Sequence, residues 1–304
     1  MKRSIIFIAL AALMLAAPQA QAKKTKPLTK HVILIGLDGV SATDFDKCNI
    51  PVMKSLMDAG CWTMEKRSAM PSSSAINWAS MFMGAGTELH GYTQFGSKTP
   101  ELPSRVVNGH GIFPTVFSLM REQQPKSEIG CVYEWTTIKC LIDSLAFDYT
   151  ANAEDYIKYR TRLGDLAVDY VKQAKPDLFA VIFDQPDHEG HSHGWSSPEY
   201  FANIELLDGE IGRIIQAYKD AGIWEETTIL ITADHGGIKK GHGGITLNEM
   251  QTPFIIAGKN IRKGGEFHES MMQFDVASTI AALLGLKQPQ VWTGRPMIQC
   301  FKKK

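Results

Sequence analysis

The sequence predicts an α/β protein: a three-layer α/β/α sandwich whose mostly parallel central sheet is covered by helices on both faces. Four short apolar runs rich in β-branched residues, within 31–39, 176–183, 226–237 and 252–258, have the length and composition of buried strands. Segments with helical apolar spacing lie between them, and strands alternating with helices imply parallel crossovers that lay helices on the sheet. Three of the four strand segments run into loops carrying Asp or His. Sheets of this kind bind ligands beyond the carboxyl ends of their strands.

Taken in order, residues 1–22 combine Lys2 and Arg3, an apolar run and a small-residue end at Ala20-Gln21-Ala22. This is the pattern of a secretory signal peptide cut before Lys23, and its apolar run is shorter than the ~20 residues a membrane span needs. The expectation is a single domain over 23–304, exported to the periplasm or medium, with no stable membrane anchor. "HVILIGLDG" (31–39) reads as the first strand, with Asp38 at its end. Helical patterns follow at 51–59, 77–85, 113–123, 152–174, 198–221 and 273–284, interleaved with the strands inside "PDLFAVIFDQPDHEGHSHG" (176–194), "ETTILITADHGG" (226–237) and "TPFIIAG" (252–258).

Removing the leader takes two basic residues from 32 and leaves 30 against 32 acidic ones, a net charge of −2. That balance argues against duplex nucleic acid or a membrane surface as partner, because both call for a positive field. Cys48, Cys61, Cys131, Cys140 and Cys300 permit disulfides in an oxidising compartment, and spacing suggests Cys48–Cys61 and Cys131–Cys140 beside the alternative of isolated buried thiols.

The chemistry lies at the strand ends. Asp187 and His191 stand in "PDHEGH", and Asp234, His235 and His242 in "ADHGGIKKGH". Glycine in these loops lets the backbone aim several side chains at one point. With Asp38 they make three carboxylates and three imidazoles, a donor set suited to two borderline cations such as zinc. Two metals ~4 Å apart can hold the attacking and leaving oxygens of an in-line phosphoryl displacement. "PSSSAINW" (71–78) adds three serines ahead of a helical pattern. Each of the three fits a helix N-cap, and each carries a hydroxyl that a metal could activate.

From "LIGLDGV" through "MPSSSAINWASMFMGAGTELHGY" and "FDQPDHEGHSHG" to "ITADHGG" and "GHGG", the chain resembles the alkaline phosphatase superfamily, most closely its type I phosphodiesterase and nucleotide pyrophosphatase branch. The resemblance implies an alkaline phosphatase-like fold and two zinc ions. One would be held by Asp187, His191 and His242, the other by Asp38, Asp234, His235 and the nucleophile. In the family the nucleophile is a Thr or Ser starting a helix, with an Asn three positions on, which selects Ser74 and Asn77. Placement at a helix N-terminus adds backbone N–H donors, here that of Ala75, suited to a phosphate oxygen. Asn77, one turn along, is expected to donate to the same oxygen.

Nucleotide-hydrolysing members carry an aromatic directly after the nucleophile, and Ala75 stands there. No Cys/Ser-x-Pro-x-Arg signature of sulfatases occurs near Ser74, and the inserted domain of cofactor-independent phosphoglycerate mutases is missing. His188 and His193 are set outside the ligand set, His90 is expected to pack a loop, Glu249 and Met250 to fix a turn, and Lys239 and Lys240 to be solvated. Tyr133, Trp135, Trp78 and Trp195 are aromatics near the site. The implied activity is cleavage of small phosphate diesters or nucleotide pyrophosphate bonds through a phosphoseryl intermediate. The alternatives are a phosphomonoesterase and a non-catalytic metal-containing binding protein.

Overall fold

The computed structural model describes residues 26–303; the expected leader at 1–22 lies outside them. The chain opens with β1 (His31–Asp38), α1 (Ala42–Phe45), α2 (Pro51–Ala59), β2 (Cys61–Arg67), α3 (Ser74–Met83), α4 (Thr87–His90) and α5 (Val116–Gln123). It continues through β3 (Ile129–Tyr133), β4 (Tyr149–Asn152), α6 (Arg162–Ala174), β5 (Leu178–Pro186), α7 (Asp187–His193) and α8 (Pro198–Asp220). The last elements are β6 (Thr227–Ala233), α9 (Leu247–Met250), β7 (Gln251–Gly258), β8 (Gly265–Glu266) and α10 (Asp275–Leu283).

The strands form one sheet in the order β4-β3-β5-β1-β6-β7-β2-β8. Pairing is parallel from β4 through β6 and antiparallel on both sides of β7. Side chains alternate across β1, with Val32 and Leu34 in one apolar cluster and Ile33, Ile35 and Leu37 in the other. The first cluster is roofed by α3, α5 and α10, the second by α2, α6 and α8. Burial on both faces explains why β1 reads as a continuous apolar run rather than an alternating one.

Helix boundaries follow local chemistry. Helix α5 begins at Val116 because Thr115 and Ser118 form a reciprocal capping box. Helix α8 begins at Pro198, with the Ser197 hydroxyl accepting from Tyr200 N.

Four expectations are corrected. The helix expected over 152–174 starts at Arg162, because Tyr149–Asn152 pairs with β3 as an edge strand. Helix α3 starts three residues before the helical pattern at 77–85, with Ser74 as its first residue, where the resemblance sets the nucleophile. The Asp/His segment after β5 is the short helix α7, not a loop. All five cysteines are free. Cys48 and Cys61 belong to clusters on opposite faces of the sheet, and Cys61 instead meets the C-terminal turn, its Sγ 4.0 Å from the Cys300 carbonyl oxygen. Among the described residues no helix is long and apolar enough to cross a membrane.

Candidate metal centre

The three central parallel strands β5, β1 and β6 are neighbours in the sheet, so their carboxyl ends deliver Asp187, Asp38 and Asp234 to one place. Asp38 closes β1, after a register shift that sets it opposite Pro186. Gly39 follows at φ +76°, and a Cβ there would lie 2.8 Å from that of Asp187. Only glycine permits both the turn and this approach. Asp187 opens α7, and its i,i+4 spacing puts His191 on the same helical face.

His235 Nε2 lies 3.0 Å from Ser74 Oγ, 3.3 Å from Asp234 Oδ2 and 3.4 Å from Asp38 Oδ1. Four donors around one ion with bonds of about 2.0–2.1 Å are separated by roughly 3.3 Å at the edges of a tetrahedron. A second group stands beside the first, with Asp187 Oδ2 3.2 Å from His191 Nε2 and Asp187 Oδ1 3.8 Å from His242 Nε2. The His235 and His242 rings stack with centroids 3.8 Å apart, which joins the groups.

The imidazole tautomers are fixed from behind. His235 Nδ1 donates to the Gly236 carbonyl at 2.8 Å, His242 Nδ1 to that of Ser72 at 3.0 Å and His191 Nδ1 to that of Lys240 at 3.0 Å. A carbonyl oxygen can only accept, so each Nδ1 carries the proton and each Nε2 turns a lone pair toward the carboxylates. Asp38 Oδ1, Asp187 Oδ1 and Asp234 Oδ2 are buried without a hydrogen-bond donor. Lone pairs facing lone pairs in a buried space repel unless a cation lies between them, so these residues fit bound metal.

The remaining oxygens are engaged. Asp38 Oδ2 accepts from the Trp78 indole at 3.0 Å, and Asp234 Oδ1 accepts from Gly39 N at 3.1 Å and His235 N at 2.8 Å. Burial pushes the Asp38 and Asp234 carboxyls well above the usual range, and neighbouring carboxylates push the same way. Burial would also raise Asp187, but the imidazoles of His191, His235 and His242 beside it outweigh that and leave the carboxyl lowered. Burial lowers His235 to about 3, which keeps it neutral as a ligand.

The structure thus brings together Asp38, Ser74, Asp187, His191, Asp234, His235 and His242. It does not aim Asn77 at them. The Asn77 side chain donates to the carbonyls of Ala69, Pro71 and Ser73 at 3.1–3.2 Å and accepts from Ala69 N at 2.7 Å. These bonds make the Asn77 side chain a clamp that shapes the loop ahead of Ser74.

His193 faces Glu189 at 3.5 Å, and His90 is buried against Ser80 and Tyr92 N. Glu249 accepts from Gly244 N and Thr246 Oγ1, holding the loop after His242. Ser72, which by sequence fits a helix N-cap, instead supports the loop that carries His242. Its hydroxyl donates to the Gly244 carbonyl at 2.8 Å while its own carbonyl orients His242. No local pattern signals this, because the partners lie 170 positions apart.

The sequence pattern described as type I phosphodiesterase / nucleotide pyrophosphatase matches residues 32–251. The chain is 21% identical over 221 residues to bis(5'-adenosyl)-triphosphatase ENPP4 of Bos taurus, covering 67% of this chain and 47% of that protein. It is 31% identical over 144 residues to the 2,3-bisphosphoglycerate-independent phosphoglycerate mutase of Rhodopseudomonas palustris, covering 45% of this chain and 26% of the mutase. The chain thus spans about half the length of the first relative and about a quarter of the second. Murine ectonucleotide pyrophosphatase / phosphodiesterase 5 shares the fold, with a TM-score of 0.70 at 15% identity, covering 89% of this chain and 98% of that one. The fold is that of the alkaline phosphatase superfamily, and the chain belongs to the type I phosphodiesterase / nucleotide pyrophosphatase family.

Proposed function

We propose that this protein is an exported two-zinc phosphohydrolase that cleaves small phosphate diesters through a phosphoserine at Ser74. The observation that carries the reading is the meeting of Ser74 Oγ with His235 Nε2 at 3.0 Å, inside a ring of buried carboxylate oxygens that lack donors. Asp38, Asp234, His235 and Ser74 would hold one ion, and Asp187, His191 and His242 the other. Bound zinc would favour the Ser74 alkoxide and offset charge on the phosphoryl and leaving oxygens.

Ser74 starts α3, where the Ala75 N–H has no acceptor within the helix and suits a non-bridging phosphate oxygen. Attack by Ser74 Oγ, whose proton passes to solvent, forms the Ser–O–P bond as the P–O bond to the leaving oxygen breaks, and that oxygen takes a proton from solvent. Water then cleaves the phosphoserine, returning the proton to Ser74 and inverting phosphorus a second time.

Among the described residues no Lys or Arg side-chain nitrogen hydrogen-bonds Ser74 or any of the six ligands. Lys240 Nζ donates to the Ser192 carbonyl, and Arg160 pairs with Glu189. A diester phosphate carries less charge than a monoester and needs less cationic help, which favours the diesterase over the phosphomonoesterase. Export rests on the leader pattern at 1–22. Catalytic efficiency on bis-p-nitrophenyl phosphate against p-nitrophenyl phosphate, in zinc buffer, tests the reading. The diester is expected to be preferred, and a clear monoester preference would reject it.

A further inference from the structure

We propose that Phe95 and Trp135 form a flat wall on which the group departing with the leaving oxygen stacks, so that the site prefers esters with a planar leaving group. This rests on the diesterase reading and adds the class of leaving group to it.

Phe95 is 66% exposed, which leaves part of its ring open to a ligand. Its ring is nevertheless fixed in position. It stacks on Trp135 with centroids 5.8 Å apart and planes 20° apart, and meets the His242 ring edge-on at 6.2 Å. The turn that carries it is pinned, because Glu101 accepts from Thr93 N at 2.8 Å and from Ser97 Oγ at 2.6 Å. Trp135 is half-buried and packs against the apolar cluster beneath α3 and α5. One Phe95 face is thus backed by a ring that the core holds.

The position decides which part of a substrate meets this wall. Ser74, His235, His242 and Phe95 follow one another by contact: Ser74 Oγ at 3.0 Å from His235, the two imidazoles at 3.8 Å, then Phe95 at 6.2 Å from His242. Displacement at phosphorus is in line, so the leaving oxygen departs away from Ser74, on the side of His242 and the wall. A planar ring there gains stacking beyond the contact area an alkyl group gains. Ala75, next to the nucleophile, is fully buried and supplies no such surface.

The test compares kcat/KM for p-nitrophenyl methyl phosphate and trifluoroethyl methyl phosphate in the zinc-loaded chain and in Phe95→Ala; comparing the aryl-to-alkyl ratio between the two proteins cancels the intrinsic reactivities. The aryl-to-alkyl ratio is expected to fall about tenfold in Phe95→Ala, and to be restored in Phe95→Tyr. Equal losses on both esters would mean that the ring only seats His242, and unchanged values would mean that it never meets substrate; either overturns the proposal. Binding is read separately in Ser74→Ala, as quenching of Trp135 fluorescence by the aryl ester, with Ser74→Ala/Trp135→Phe as blank. If the wild-type chain turns over neither ester while quenching persists, the diesterase reading fails and the wall stands. Turnover with no quenching and an unchanged ratio rejects the wall alone.

Discussion

Ser74 Oγ lies 3.0 Å from His235 Nε2, although the two residues are 161 positions apart in the chain. The contact joins the first residue of α3 to the residue after Asp234 at the end of β6. With the bonds from His242 Nδ1 to the Ser72 carbonyl and from the Trp78 indole to Asp38, it makes the serine segment and the Asp/His clusters a single site.

Ser74→Ala is expected to lower kcat by on the order of 10³-fold or more, because it deletes the attacking atom and leaves the other donors in place. Zinc content, measured by elemental mass spectrometry on the same sample, should fall little. A loss of less than tenfold in a folded, metal-loaded variant would remove Ser74 as nucleophile.

Removal of metal should destabilise the fold, because Asp38, Asp187 and Asp234 each keep a buried oxygen without a donor. Chelation should lower Tm by several degrees, and zinc should restore it in a concentration-dependent way. His242→Ala should halve the bound zinc. A Tm unaffected by both chelator and zinc would count against a metal site.

Asn77→Ala leaves the N–H of Ala69 and the carbonyls of Ala69, Pro71 and Ser73 without their side-chain partner. A stability loss of about 2–4 kcal/mol is expected in urea unfolding, with kcat reduced because the Ser74 loop loses its clamp. Unchanged stability with a large kcat loss would instead mean that Asn77 acts on the substrate.

Glu134 is buried behind the site, and burial raises its carboxyl from the ordinary 4.5 to about 8. Between these values the native chain keeps a proton that the unfolded chain releases. Stability from this group is therefore complete below about pH 4.5 and is lost as pH rises toward about 8. Glu134→Gln, which can still accept from Asp184 N, should remove that slope and gain on the order of 4 kcal/mol over wild type at pH 8.5 relative to pH 4.5. Parallel Tm-against-pH curves for the two proteins would show that Glu134 does not titrate in this range.

The central strands were legible because β1, β5, β6 and β7 are apolar runs that end abruptly in acid or glycine, a signal contained in the segment itself. Strand β2, "CWTMEKR", was not, because it carries charges. Lys66 within it is fully buried, its ammonium donating to the Ala233 carbonyl at 2.7 Å and to Gln273 Oε1. Partners 167 and 207 positions away make that burial tolerable. Strand β3 is five residues long and wholly buried, too short for a period to separate strand from helix.

The sequence by itself determined the fold class, the acids at the strand ends and the composition of the donor set, because these depend on residue type and short-range spacing. Only the tertiary structure decided that Asn77 clamps a loop, that Ser72 orients His242, that Cys48 and Cys61 face away from each other, and that Phe95 stands beside a candidate metal ligand. Each of these depends on where a side chain finds a partner in space. A hydrogen bond or ring contact forms across a few ångströms, whatever the number of residues between its ends, and no local pattern encodes that distance.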